Sequence, residues 1–205
     1  MINTQFKSFF EKLFRPIGNI LISFKITPNQ ITVAGLLFGI LSCLIFLATR
    51  SLLLFFVLIV FSALFDAFDG VVARMANQSS KFGAYLDAMC DRLFEGVAAL
   101  TVAIYSGYWS LIFLAMIGGM TVSYAKARAA IEVPVSNTEW PDLMERMERN
   151  VVFILGFFIS EFFHIRIAGH DLFFWVLIGL NIAIYFTVIQ RVLRAKRLIE
   201  SRSKV

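Results

Sequence analysis

The chain has 205 residues, of which 59% are hydrophobic and only 16% charged, with 23 phenylalanines and a net charge of +5. Soluble domains run nearer about 45–50% apolar and about 25% charged, so this composition excludes an ordinary soluble domain and fits one membrane domain spanning 1–205. The basic residues stand at the ends of apolar runs rather than along an aromatic-studded surface, which points to a membrane topology bias and away from nucleic acid.

The N-terminus does not read as a signal peptide, because Lys7, Lys12 and Arg15 interrupt it and no small-residue cleavage site follows an apolar core. Phe6, Phe9, Phe10, Leu13, Phe14, Ile17, Ile20, Leu21 and Phe24 recur at helical spacing, so residues 2–25 are expected to form an amphipathic helix on the membrane surface. Thr27-Pro28-Asn29 ends it, since a residue before proline disfavours the helical conformation.

Six transmembrane helices are expected next, over 31–49, 52–73, 84–105, 109–129, 150–168 and 172–193. Each is near the length of about 20 residues that crosses the hydrocarbon. Pro134 and Pro141 mark a loop between the fourth and fifth, and a basic tail covers 194–205. The fold class is therefore an all-α membrane protein, six spans preceded by a juxtamembrane helix. Lys25, Arg74, Lys81, Lys126, Arg128, Arg146, Arg149 and the tail share one side, against Arg50 and Arg166 on the other. Positive-inside reasoning places both termini and that side at the cytoplasm of a cell membrane. His164 and His170 then fall on the outer side. Cys43 and Cys90 are too few for a disulfide framework and read as small apolar fillers. There is no internal repeat.

The chemistry concentrates between 66 and 91. Asp66 and Asp69 are spaced i, i+3, and Asp87 and Asp91 are spaced i, i+4, so each pair shares a helix face. The polar connector Asn77-Gln78-Ser79-Ser80-Lys81 separates the pairs and puts both at the same membrane face. Carboxylates at membrane depth are costly unless paired, wetted or metal-bound. Four Asp without a nearby His suit hard divalent ions, Mg²⁺ or Mn²⁺, and argue against zinc.

The run Asp66-x2-Asp69-Gly70-x2-Ala73-Arg74-x8-Gly83-x3-Asp87-x3-Asp91 resembles, at every specified position, the signature of the CDP-alcohol phosphotransferases. The resemblance implies transfer of a phosphatidyl-type group from a CDP-linked lipid to an alcohol, with release of CMP. It implies two metal ions with Asp66, Asp69 and Asp87 as ligands, Asp69 also contacting the CDP-lipid, and Asp91 as the general base, touching the second ion as well. Gly70 and Gly83 allow close approach of a nucleotide, with helix packing the other reading of Gly83, and Arg74 is expected on the CDP pyrophosphate. Asn29-Gln30-Ile31-Thr32, after Pro28, resembles the family's P-N-x-x-T element near the nucleotide, and Ser80 occupies a matching connector position. Capping of helix ends is the alternative for that segment and for Ser80.

Ser123-Tyr-Ala-Lys126-Ala-Arg128-Ala, Glu145-Arg-Met-Glu-Arg149 and Gln190-Arg191 resemble elements of phosphatidylinositol-phosphate synthases and their archaeal relatives. That resemblance implies an acceptor-phosphate clamp of Lys126, Arg149 and Arg191, with plain topological anchoring as the other reading. Pro141-Asp142 stands where a small residue is expected in such relatives, which bears on the geometry around Arg149. The expected acceptor is inositol phosphate, with glycerol 3-phosphate as the alternative, and the lipid tails are either diacylglycerol or archaeol. The expected partners are these substrates and membrane lipids, and the resemblance implies a homodimer. A transporter or ion-binding membrane protein is the reading from another class, but transporters carry inverted repeats and mid-membrane breaks that this chain lacks.

Overall fold

A threonine starts the first long helix of the computed structural model, which describes residues 14–133 and 143–202, with the backbone alone at Asp66. Thr27 accepts a hydrogen bond from the Gln30 N–H, while the Gln30 side chain accepts from the Thr27 N–H, and Pro28 occupies the first helical position. This reciprocal cap satisfies donors that a helix start leaves open. Helix α1 covers 14–23; α2 is Pro28–Thr49, α3 Leu52–Met75, α4 Lys81–Ser106, α5 Trp109–Glu132, α6 Arg146–Phe163 and α7 Leu172–Arg202. Of the helix expected over 2–25, the described residues show helix at 14–23, with a turn at 24–25, and residues before 14 lie outside those described. Pro134, Pro141 and Asp142 lie outside them too.

The chain divides into two compact units, Met1–Thr101 and Val102–Val205, with α4 shared between them. In the first, α2 and α3 form an antiparallel hairpin closed by Arg50 in a left-handed conformation (φ 57°) and by Ser51, whose hydroxyl caps α3. Phe46 stacks on Phe55 with ring centroids 4.2 Å apart, and Phe38 meets Phe65 at 5.4 Å. At Gly39 a Cβ would stand 2.6 Å from the Phe94 ring and 3.0 Å from Ser62 Oγ, so only glycine admits both neighbours. Helix α1 lays one face on α3, with the Phe14 and Phe68 rings edge to face at 4.8 Å and Gly18 over Met75. Ile20 and Phe24 stay exposed.

In the second unit, α7 runs parallel to α5 and antiparallel to α6. Val122, Leu180 and Ile184 form its buried apolar centre. The Asn181 amide donates to the Leu111 carbonyl and the Tyr185 hydroxyl to the Leu114 carbonyl. The Ser160 hydroxyl accepts from the Phe173 N–H.

Among the described residues, four helices, α2, α3, α5 and α7, are long and apolar enough to cross a membrane. Helices α4 and α6 have the length but not the uniform apolarity, since α4 carries Asp87, Asp91, Arg92 and Glu95 and α6 carries Arg146, Glu148 and Arg149. The expected fifth span ends early. His164, Ala168 and Gly169 have positive φ, which turns the chain at Phe163 into a hairpin, β1 (Arg166–Ile167) against β2 (His170–Asp171), where helix is expected to 168. The basic stretch after 193 continues α7 to Arg202 rather than leaving the helix.

Candidate active site

Three helix ends meet in a cavity of about 200 Å³ in the first unit. The start of α2 contributes Pro28, Asn29 and Thr32, the end of α3 contributes Asp69, Gly70, Ala73 and Arg74, and the start of α4 contributes Gly83, Ala84 and Asp87. The connector adds Gln78, Ser79 and Ser80. Proline and the Thr27–Gln30 cap define where α2 begins, and Ser80 defines where α4 begins, its Oγ accepting from the Gly83 N–H at 2.9 Å. Two helix N-termini, the positive ends of their dipoles, therefore edge a cavity that also holds an arginine. Such a wall suits a phosphate-bearing ligand.

The contacts inside the wall are specific. Thr32 Oγ1 lies 2.6 Å from Asp69 Oδ2 and 3.1 Å from the Pro28 carbonyl. Arg74 folds back over its own helix, with Nη1 3.3 Å from where a Cβ on Gly70 would stand. Across the cavity, a Cβ on Gly83 would meet Asn29 Oδ1 at 3.1 Å and Ser80 Oγ at 3.2 Å. The bare backbone at 70 and 83 is thus occupied by polar atoms of the site itself.

Of the nine residues expected around the CDP-lipid, Asn29, Thr32, Asp69, Gly70, Arg74, Ser80 and Gly83 line this cavity. Gln30 and Ile31 do not. Gln30 is engaged in the α2 cap, and Ile31 is 5% exposed in the apolar interior. Capping and cavity lining, posed as alternatives for Ser80, hold together. Gln78 and Ser79 also line the wall, and their only signal in sequence was the polarity of the connector.

For the metal set, Asp69 and Asp87 line the cavity, and Asp91 lies one turn beyond Asp87 on α4. The Asp66 side chain lies outside the described residues, and among those described no group of three acidic, His or Cys side chains gathers to hold an ion. The donors present are carboxylate and hydroxyl oxygens without imidazole or thiolate on the wall. That donor chemistry fits Mg²⁺ or Mn²⁺.

In the second unit, Arg149 of α6 and Arg191 of α7 pack against α5. Gly119, Val122 and Lys126 are spaced i, i+3, i+7 and share that face. Arg149 is 5% exposed, with Nη1 donating to the Met144 carbonyl at 3.0 Å and Nε 3.2 Å from where a Cβ on Gly119 would stand. Arg191 is 4% exposed and donates from Nη1 to the Val122 carbonyl. In an α-helix that carbonyl also receives the N–H four residues on, which is that of Lys126. Arginines from α6 and α7 thus converge on α5 beside the third expected clamp residue. Buried guanidinium groups carry a desolvation cost that topological anchoring at a water interface does not require.

Comparison with known proteins follows the same lines. The family model for CDP-alcohol phosphatidyltransferases matches residues 25–189, which takes in both the cavity and the α5 face. The chain belongs to the CDP-alcohol phosphatidyltransferase family. Within it, the chain is 35% identical over 185 residues to the archaetidylinositol phosphate synthase of Pyrococcus horikoshii, covering 90% of this chain and 91% of that one. It is 33% identical over 196 residues to the phosphatidylinositol phosphate synthase of Corynebacterium glutamicum, covering 89% and 84%. Among solved structures, the phosphatidylinositol phosphate synthase of Mycobacterium tuberculosis with CDP-DAG bound superposes with a TM-score of 0.76 at 25% identity, over 90% of this chain and 94% of that one. The same mycobacterial enzyme in complex with manganese and citrate superposes with a TM-score of 0.76 at 24% identity, over 88% and 87%. The family's catalytic fold is thus common to this chain and that enzyme.

Proposed function

We propose that this family member transfers a phosphatidyl or archaetidyl group from a CDP-linked lipid to a hydroxyl of inositol phosphate, releasing CMP. The burial of Arg149 and Arg191 against one face of α5, beside Lys126, carries the choice of acceptor. Three cations from three helices have a shared reason to converge if they receive a dianionic phosphate. An uncharged alcohol such as serine or free inositol gives them none. The names of the archaeal and bacterial relatives point to the same acceptor class.

On the donor side, Asn29, Thr32, Gly70, Arg74, Ser80 and Gly83 form the wall that receives the CDP group, with Arg74 and the helix starts facing its pyrophosphate. Asp66, Asp69 and Asp87, joined by Asp91, would hold two divalent cations. When bound, such ions withdraw charge from phosphoryl oxygens and favour departure of the nucleotide. Thr32 donates to Asp69 and fixes which carboxylate oxygen is turned toward the ligand. Asp91 takes the proton from the attacking hydroxyl, whose oxygen bonds to the lipid-linked phosphorus as the bond to CMP breaks. Lys126, Arg149 and Arg191 bind the acceptor's phosphate.

The same reading takes α4 and α6 as spans alongside the four apolar helices, with their charged ends at the cytoplasmic face, and takes the assembly as a homodimer. The deciding experiment measures CMP release from a CDP-lipid with inositol phosphate, glycerol 3-phosphate, serine and free inositol. The expected order puts inositol phosphate first. Faster turnover with glycerol 3-phosphate would reassign the acceptor and leave the phosphotransfer intact.

A further inference from the structure

Two adjacent glycines on α5 face different neighbours. A Cβ on Gly118 would stand 2.5 Å from Ile184 Cγ2, so Gly118 seats α7. The three atoms nearest a Cβ on Gly119 would all belong to the Arg149 guanidinium, at 3.2 Å for Nε, 3.6 Å for Cζ and 3.7 Å for Nη2. Glycine in a helix interior weakens the helix relative to alanine, and α5 spends that stability at 119 on the close approach of a charged group. Arg149 is thereby held at two points, the α5 backbone beneath its Nε edge and the Met144 carbonyl at Nη1. A guanidinium is flat and rigid, so its edge and plane are set once two sides are fixed.

We propose that Gly119 is a positioning residue for the acceptor: the missing side chain at 119 sets the height at which Arg149 presents its guanidinium to the acceptor's phosphate. This rests on the acceptor-phosphate reading of Arg149. A methyl group at 119 lifts the guanidinium by a few tenths of an ångström, because the contact at 3.2 Å is tighter than ordinary van der Waals packing. Charge is retained and geometry is lost, so the effect is smaller than deletion of the arginine.

The test is a cycle of Gly119→Ala, Arg149→Gln and the double variant, with KM for inositol phosphate, KM for CDP-lipid and kcat measured on the full chain in detergent. Loss of a charged hydrogen bond weakens acceptor use by about 10- to 150-fold, and that is expected for Arg149→Gln. Gly119→Ala is expected to raise the KM for inositol phosphate by about 3- to 10-fold, a fraction of that loss. The CDP-lipid KM and the kcat at saturating acceptor should stay within about twofold, the split expected when an interaction common to ground and transition states is weakened. In the Arg149→Gln background the alanine should add nothing, since its effect passes through the guanidinium.

Additive effects in the double variant, or an unchanged acceptor KM in Gly119→Ala, would overturn the proposal while leaving the clamp in place. An unchanged acceptor KM in Arg149→Gln would overturn both. If Gly119→Ala alone does not fold, the double variant relieves the contact and is read against Arg149→Gln. A further rise in acceptor KM there gives glycine a role independent of Arg149 and overturns the proposal; no further rise, together with recovered folding, supports it.

Discussion

The Thr32 hydroxyl lies 2.6 Å from Asp69 Oδ2, a contact across 37 residues that ties the first turn of α2 to the carboxylate end of α3. Its single proton has a second acceptor in the Pro28 carbonyl at 3.1 Å, but the shorter contact is to the carboxylate, which is the stronger acceptor. A hydrogen bond to a charged group contributes about 1.5–3 kcal/mol. Thr32→Val should therefore lower kcat/KM for CDP-lipid by about 10-fold or more, and Thr32→Ser should restore most of it. Equal rates in the valine and wild-type proteins would remove Thr32 from the site.

Chelation and carboxylate removal test the cation reading from two directions. CMP release should cease after exhaustive chelation and return with Mg²⁺ or Mn²⁺. Asp66→Asn and Asp87→Asn should abolish turnover in protein that still melts cooperatively in detergent. Full activity without a divalent cation would remove the metals from the mechanism.

Asp91 should separate binding from chemistry. Asp91→Asn keeps the hydrogen-bonding shape of the side chain but not its basicity, so turnover should fall by about 100-fold or more while much of the CDP-lipid binding persists. The check is a single-turnover rate set beside an equilibrium binding isotherm. Wild-type turnover in this variant would deny Asp91 its role as base.

Arg191 reports on the acceptor. Arg191→Gln should raise the KM for inositol phosphate by about 10- to 150-fold, with CDP-lipid binding nearly unchanged. A loss confined to CDP-lipid affinity would place this arginine on the donor instead. Some loss of thermal stability is also expected, because the Val122 carbonyl loses a buried donor.

At the loop between α4 and α5, the Tyr108 hydroxyl donates to Asp171 Oδ2 at 2.8 Å. Burial and this neighbouring carboxylate raise the phenol from 10.0 to about 12. A raised value in the folded state means that the folded chain holds its proton where the unfolded chain has lost it. Its contribution is complete below about pH 10 and disappears as the pH rises through about 12. The melting temperature should therefore fall more steeply from pH 10 to 12 in the wild type than in Tyr108→Phe. Parallel curves would show that the contact contributes nothing to stability.

The helical placement of the acidic run was readable because its logic is local. Spacings of three and four residues put Asp66 with Asp69 and Asp87 with Asp91 on helices, and the polar connector brought those helices' ends together. The same local reading overextended the fifth span, because residues 164–168 look apolar enough to continue a helix while His164 and Ala168 adopt left-handed conformations. For Gln30, a place in a recognisable element left ligand contact and capping both open, and its position three residues after Thr27 makes it part of the cap. The seat of Arg149 on Gly119 joins residues 30 apart through tertiary packing, and no periodicity encodes such a pair. Four Asp could be ranked above the basic residues because carboxylates in an apolar chain stand out, whereas a buried arginine and an anchoring one look alike in sequence.

Helix α7 has 31 residues, so at 1.5 Å per residue it is about 46 Å long, well beyond the roughly 30 Å hydrocarbon layer. A helix of that length ordinarily answers a thinner or thicker bilayer by changing its tilt. Here Asn181, Tyr185 and Arg191 hydrogen-bond to carbonyls of α5 at three heights, and the Phe173 N–H to Ser160 of α6 adds a fourth tie. These ties lock α7 to its neighbours like rungs, and independent tilting would break them. Hydrophobic mismatch therefore falls on the surrounding lipids, which stretch or compress around a stiff plank, and the buried arginines keep their register in membranes of different thickness.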